Sequence, residues 1–141
     1  VNVISVSEVI PPARIGKLLG INDNQTVMKV VRVRSNEQGN AFAHYVSWTV
    51  GINKGFTKER LETTPRLQII RDNNISLTKI KQTLGANNAS FDIAQQLNMK
   101  EGDALLSITR HSLNENNEIV DVIDCLYNPE LFNYSMVLSL D

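Results

Sequence analysis

From Val27 to Val50 (VMKVVRVRSNEQGNAFAHYVSWTV), two apolar stretches flank one polar run, Asn36 to Asn40. Val27, Val30, Val31 and Val33 suit a pleated, half-buried strand, and Ala41 to Val50 resumes the pattern after the break. The two stretches predict a β-hairpin, with Gly39 free to take the positive φ its turn requires. Successive strand side chains point to opposite faces, so Arg32 and Arg34 emerge on the same one. A turn centred on Gln38-Gly39 places Arg34 opposite Ala43 and Arg32 opposite Tyr45. The two guanidinium groups then stand about 7 Å apart, at the strand rise, above a small residue and a phenol. Such a pair can grip a carboxylate or phosphate through bidentate hydrogen bonds. Two arginines on a solvated face, or beside acidic neighbours, would give the same pattern.

The rest of the chain alternates between strand and helix periodicity. Val1 to Val9 predicts a strand ended by Pro11 and Pro12. Ala13 to Leu19 has helical spacing at Ile15, Leu18 and Leu19, with Gly20 as its C-terminal cap. Thr57 to Glu62 offers one or two helical turns. Thr64-Pro65 predicts a second start, threonine capping and proline in the first turn, of a short helix that stops at Asn73-Asn74. Ile75 to Ala86 predicts a strand, bent at Gly85. Asn88 is placed to cap a helix over Ala89 to Leu97, whose apolar positions Ile93, Ala94 and Leu97 share a face. Ala104 to Leu113 and Ile119 to Tyr127 predict a second hairpin across Asn114 to Asn117. Pro129 breaks it, and Phe132 to Leu140 has the alternation of a last strand.

These segments repeat. The stretch from Ile15 lies over the stretch from Ile93 without a gap at an offset of 78 residues, so that Leu19 meets Leu97 and Arg32 meets Arg110. A strand-helix-hairpin unit therefore occurs twice, joined by the helical connection Thr57 to Asp72. Two copies are too few for a solenoid. Joined edge to edge they give an α+β domain, one antiparallel β-sheet flanked by helices, with approximate internal two-fold symmetry.

Composition narrows the function. A chain of 141 residues fits one domain, and 42% hydrophobic with 21% charged residues is ordinary for a soluble globular protein. A formal charge of −1 with no basic run offers no field for nucleic acid or an anionic membrane. No apolar run reaches membrane-spanning length, and Val1 does not begin a signal peptide. A start at valine suggests a fragment or a processed chain, with something functional upstream. Cys125 is the lone cysteine, which excludes an internal disulfide and fits a reducing compartment. His44 and His111 have no ligand spacing, so neither a metal nor a cofactor is expected. Cys125 beside His111 would be the one nucleophile-base pairing to imagine, against the plainer role of a buried thiol. Arg110 faces Ile123 with Asp121 diagonal to it, as an internal ion pair or a ligand contact. Tyr127 can offer its hydroxyl to a ligand or fill the core, and Trp48 on the opposite face packs the core or a subunit contact.

Taken in order, Leu19-Gly20, Val27, Arg32-Val33-Arg34, Gly39, Ala86, Ala94, Leu97, Gly102, Leu105-Leu106, Arg110, Leu126-Tyr127, Pro129, Phe132 and Tyr134 resemble the UTRA domain. This is the effector-binding and dimerising domain of the HutC subfamily of GntR-type bacterial transcription regulators. The resemblance implies a chorismate-lyase-like fold over residues 1–141. It also implies a cytoplasmic homodimer whose N-terminal winged helix-turn-helix domain, absent from this chain, binds operator DNA. A small anionic metabolite would control that binding. In members that sense sugar phosphates the paired arginines hold the phosphate, which carries over to Arg32 and Arg34, and a tyrosine carries over to Tyr127. The family's sugar-gripping glutamate corresponds to Tyr45. The serine that starts its short helix corresponds to Pro65, with Thr63 and Thr64 adjacent, so Thr64 is the candidate hydroxyl. The effector is thus left between a phosphorylated sugar and a carboxylate. A lyase on the same fold and a pure dimerisation module are the competing expectations.

Overall fold

Both units fold as the repeat predicts and share one sheet. The first contributes β1 (Asn2–Val9), α1 (Ala13–Leu19), β2 (Val27–Ser35) and β3 (Ala41–Thr49). Helices α2 (Lys58–Thr63) and α3 (Arg66–Asp72) connect it to the second, β4 (Leu77–Asn88), α4 (Phe91–Gln96), β5 (Ala104–Asn114) and β6 (Ile119–Tyr127). In this computed structural model, which describes residues 1–141, the six strands are ordered β1-β2-β3-β6-β5-β4. Every neighbouring pair is antiparallel.

The predicted registers hold. Arg32 pairs with Tyr45, Arg34 with Ala43, and Arg110 with Ile123. Val6 pairs with Val30, and their repeat counterparts Leu84 and Ile108 pair likewise. Even the bulges correspond, one after Arg34 and one after Ser112. At the seam Val46 pairs with Asp124, its own repeat counterpart, so the internal two-fold axis passes between β3 and β6 at that point. Gly20 ends α1 at φ 66°, and its equivalent Asn98 follows α4 at φ 59°. Asparagine tolerates this left-handed position better than other non-glycine residues.

One face of the sheet is covered symmetrically. Helix α1 lays Ile15 and Leu19 against Val27, Trp48 and Val122, and α4 lays Ala94 and Leu97 against Leu105. Trp48 is core there, 6% exposed, and not the subunit contact its size allowed. The other face is covered unequally. Helices α2 and α3 bury Leu61, Ile69 and Ile70 over Val3 and Val30 of the first unit only. Thr57 caps α2, its hydroxyl oxygen accepting from the Arg60 N–H at 3.2 Å.

Several local expectations are corrected. Strand β4 continues to Asn88, so Ser90 rather than Asn88 caps α4. Gly85 sits in register rather than at a bend; an added Cβ would lie 2.9 Å from Ser107 Oγ, so that side chain would have to shift. Thr64 does not cap α3. It closes α2 in an extended conformation (φ −126°, ψ 136°), and Pro65 occupies the capping position without a side-chain bond. Residues 132–140 form no strand. Asn128 turns the chain out of the sheet, its N–H donating to the Phe42 carbonyl at 2.9 Å and its Nδ2 to the Leu97 carbonyl at 2.8 Å. No helix is long and apolar enough to cross a membrane.

Candidate functional site

On the unequally covered face a cavity of about 450 Å³ opens beside α3. Its floor is the strand face that carries Arg32, Arg34, Tyr45, Ile123, Tyr127 and Arg110. The start of α3 (Pro65, Arg66, Leu67) forms one wall, and Phe132 to Ser135 with Ile80 of β4 forms the other. The alternation over 132–135 therefore belongs to a wall segment. Phe132 stacks on Tyr127 at 4.1 Å between ring centroids, and Tyr134 packs on the same cluster. Tyr127 meets Tyr45 edge-on at 5.8 Å.

The cavity is strongly cationic. Arg32 lies over the Tyr45 ring with its guanidinium carbon 4.9 Å from the centroid, and Arg34 lies 6.0 Å from the same ring. A ring face attracts a cation without neutralising it. The ion pairs in the chain are Arg14 with Asp124, Arg60 with Asp72 and Arg66 with Asp121, so Arg32, Arg34 and Arg110 have no acidic partner. No Asp or Glu lines the cavity. Arg32 Nε is buried with no hydrogen-bond partner at all. Burial, followed by the field of Arg66, pushes the Arg32 guanidinium down to about 10, and it stays charged at neutral pH.

The fourth cation is accounted for differently. Arg66 Nη1 and Nη2 donate to the two oxygens of Asp121, both at 2.7 Å, and the Thr49 hydroxyl donates to Asp121 Oδ1 at 2.6 Å. Burial works against the Arg66 charge, but the carboxylate's field and hydrogen bonds outweigh it and raise its pKa. This corrects the expected pairing of Asp121 with Arg110: Asp121 aligns with Ser112 on β5 and is taken by the residue that opens α3. Arg110 instead donates through Nε to Gln82 Oε1 at 2.6 Å, and Gln82 Nε2 donates to the Tyr134 hydroxyl at 2.6 Å.

Four of the five predicted site residues, Arg32, Arg34, Tyr45 and Tyr127, converge on the cavity. Thr64 does not line it; its N–H donates to the Arg60 carbonyl at 2.8 Å while its neighbour Pro65 faces the space. Arg66, Ser112 and residues 132–135 also line the cavity, contacts that strand and helix periodicity alone does not single out. Cys125 is buried in the floor, 1% exposed, and burial raises its thiol pKa. Burial also raises the Tyr127 phenol.

The family profile of the UTRA domain matches residues 1–133. A search of curated proteins found no match. Among solved structures, a GntR-family transcriptional regulator from Enterococcus faecalis superposes with a TM-score of 0.85 at 18% identity, over 97% of this chain and 99% of that one. A GntR-family transcriptional regulator from Bacillus cereus gives 0.82 at 16% identity, over 98% and 96%. The effector-binding domain of the Bacillus subtilis trehalose repressor gives 0.84 at 15% identity, over 99% and 97%. At such identities these likenesses speak for the α+β fold alone. With the family profile running through residues 1–133 of 141, the chain belongs to the UTRA domain family, and it resembles the effector-binding domains of GntR-family transcriptional regulators.

Proposed function

We propose that this chain is the effector-sensing and dimerising domain of a bacterial transcription regulator. A small anionic metabolite, a phosphorylated sugar or a carboxylate, bridges Arg32 and Arg34 above Tyr45 and Tyr127. Its binding alters how an N-terminal DNA-binding domain, outside this chain, engages operator DNA across a homodimer. Coupling of about 1–3 kcal/mol is enough for such control. One observation carries this: Arg32, whose buried Nε has no hydrogen-bond partner, lines a cavity that holds no carboxylate. A buried charge without a counter-ion is costly, and an incoming anion removes that cost.

The floor also argues against a lyase. General acid-base catalysis needs a group that titrates near the working pH, and the cavity offers arginines and three tyrosines, of which burial raises the Tyr127 phenol further. Chorismate incubated with the protein should release no pyruvate. Thermal shift and titration calorimetry against phosphorylated sugars and carboxylates test the sensor, with wild type beside Arg32→Ala and Arg34→Ala. A ligand should bind wild type and lose at least tenfold in affinity with either variant. Equal binding by all three proteins would refute the site.

A further inference from the structure

An anion on Arg32 and Arg34 leaves Arg110 unanswered. Arg110 stands on β5, three strand spacings or about 14 Å across the sheet from β2, so the two grips lie at opposite ends of the floor. Its partner Gln82 is neutral, as is Tyr134 behind it, so this chain orients the guanidinium without cancelling its charge. Asp121, the carboxylate on the neighbouring strand, is already held by Nη1 and Nη2 of Arg66 and by the Thr49 hydroxyl. Three arginines thus face one cavity with no compensating acid. A ligand charged at one end only would meet Arg32 and Arg34 and leave a cation facing its neutral end.

Resting on the effector-site proposal above, we infer that the effector is two-headed. It is a small acid with one anionic group, phosphate or carboxylate, for Arg32 and Arg34, and a second, a carboxylate, for Arg110. The body between them lies along Tyr45, Ile123 and Tyr127. Arg110 is the repeat counterpart of Arg32, so each half of the sheet supplies one grip.

Matched probes that differ only in the second charge test this. Calorimetry would compare 6-phosphogluconate with glucitol 6-phosphate, and adipate with hexanoate. The doubly headed member of at least one pair should bind wild type at least tenfold more tightly. Arg110→Gln should abolish that preference while keeping the affinity for the singly headed member within about twofold, which also shows that the variant folds. Equal affinity within both pairs, or a preference that survives Arg110→Gln, overturns the two-headed effector and leaves the sensor proposal standing. Failure of every probe to bind, or binding indifferent to Arg32→Ala, overturns both.

Discussion

Replacing Arg32 with methionine should stabilise the ligand-free protein while removing its response to anions. Burial and the nearby Arg66 lower Arg32 from its ordinary 12.5 to about 10. At 1.36 kcal/mol per pH unit, that depression corresponds to about 3 kcal/mol of native-state cost. Part of it is screened, because Arg32 is half-buried rather than sealed. The variant also forfeits the contact with the Tyr45 ring, about 0.5–1 kcal/mol at a partly exposed site. A net gain of about 1–2 kcal/mol remains. For a chain of 141 residues the unfolding entropy is roughly 0.3 kcal/mol/K, so Tm should rise by about 3–7 °C. A base whose folded pKa lies below its unfolded one carries the whole penalty below about 10, and sheds it as pH rises toward 12.5. Scanning calorimetry at pH 7 therefore sees all of it. The same scans with glucose 6-phosphate or adipate should raise the wild-type Tm and leave the variant unmoved. A variant that melts lower than wild type yet keeps its anion-induced rise would show that the guanidinium is a structural strut and refute the reasoning.

Asp121→Asn should cost about 3–5 kcal/mol in urea unfolding, because it strands the Arg66 charge in a buried site; a loss under about 1 kcal/mol would mean that water or another acid compensates Arg66. Burial holds His44 below 6.5, so beneath that pH the unfolded chain takes up a proton that the folded one resists, and stability falls with acid. His44→Gln should lessen the fall of Tm as pH drops below about 6.5, and an unchanged slope there would assign the acid sensitivity elsewhere.

Much of the architecture was legible because its rules are local. Period-two alternation and a short turn fix hairpin register, and register alone put Arg32 over Tyr45 and Arg34 over Ala43. The repeat then carried the same pairing to Arg110 and Ile123. What local rules lack is the third dimension. Asp121 was assigned to the nearest arginine in the strand ladder, whereas its partner comes from α3, which crosses above the sheet 55 residues away in sequence. Thr64 looked like a helix cap because Thr-Pro ordinarily begins a helix; here α2 ends so close before α3 that threonine serves the earlier one. Phe132 to Leu140 shows why alternation is ambiguous. Phe132 and Tyr134 pack at the cavity wall while Met136 to Leu140 stand exposed, so the same periodicity arises in a segment that pairs with no strand.

The seam where Val46 meets Asp124 has a mechanical consequence. Each half of the molecule brings its own arginine to the common hollow, and within the sheet the halves meet along that one ladder. A guest that holds both arginines works as a staple across the stitch. Small slippage or twist between the halves would loosen its two ends together, so occupancy and the alignment of the halves become a single variable.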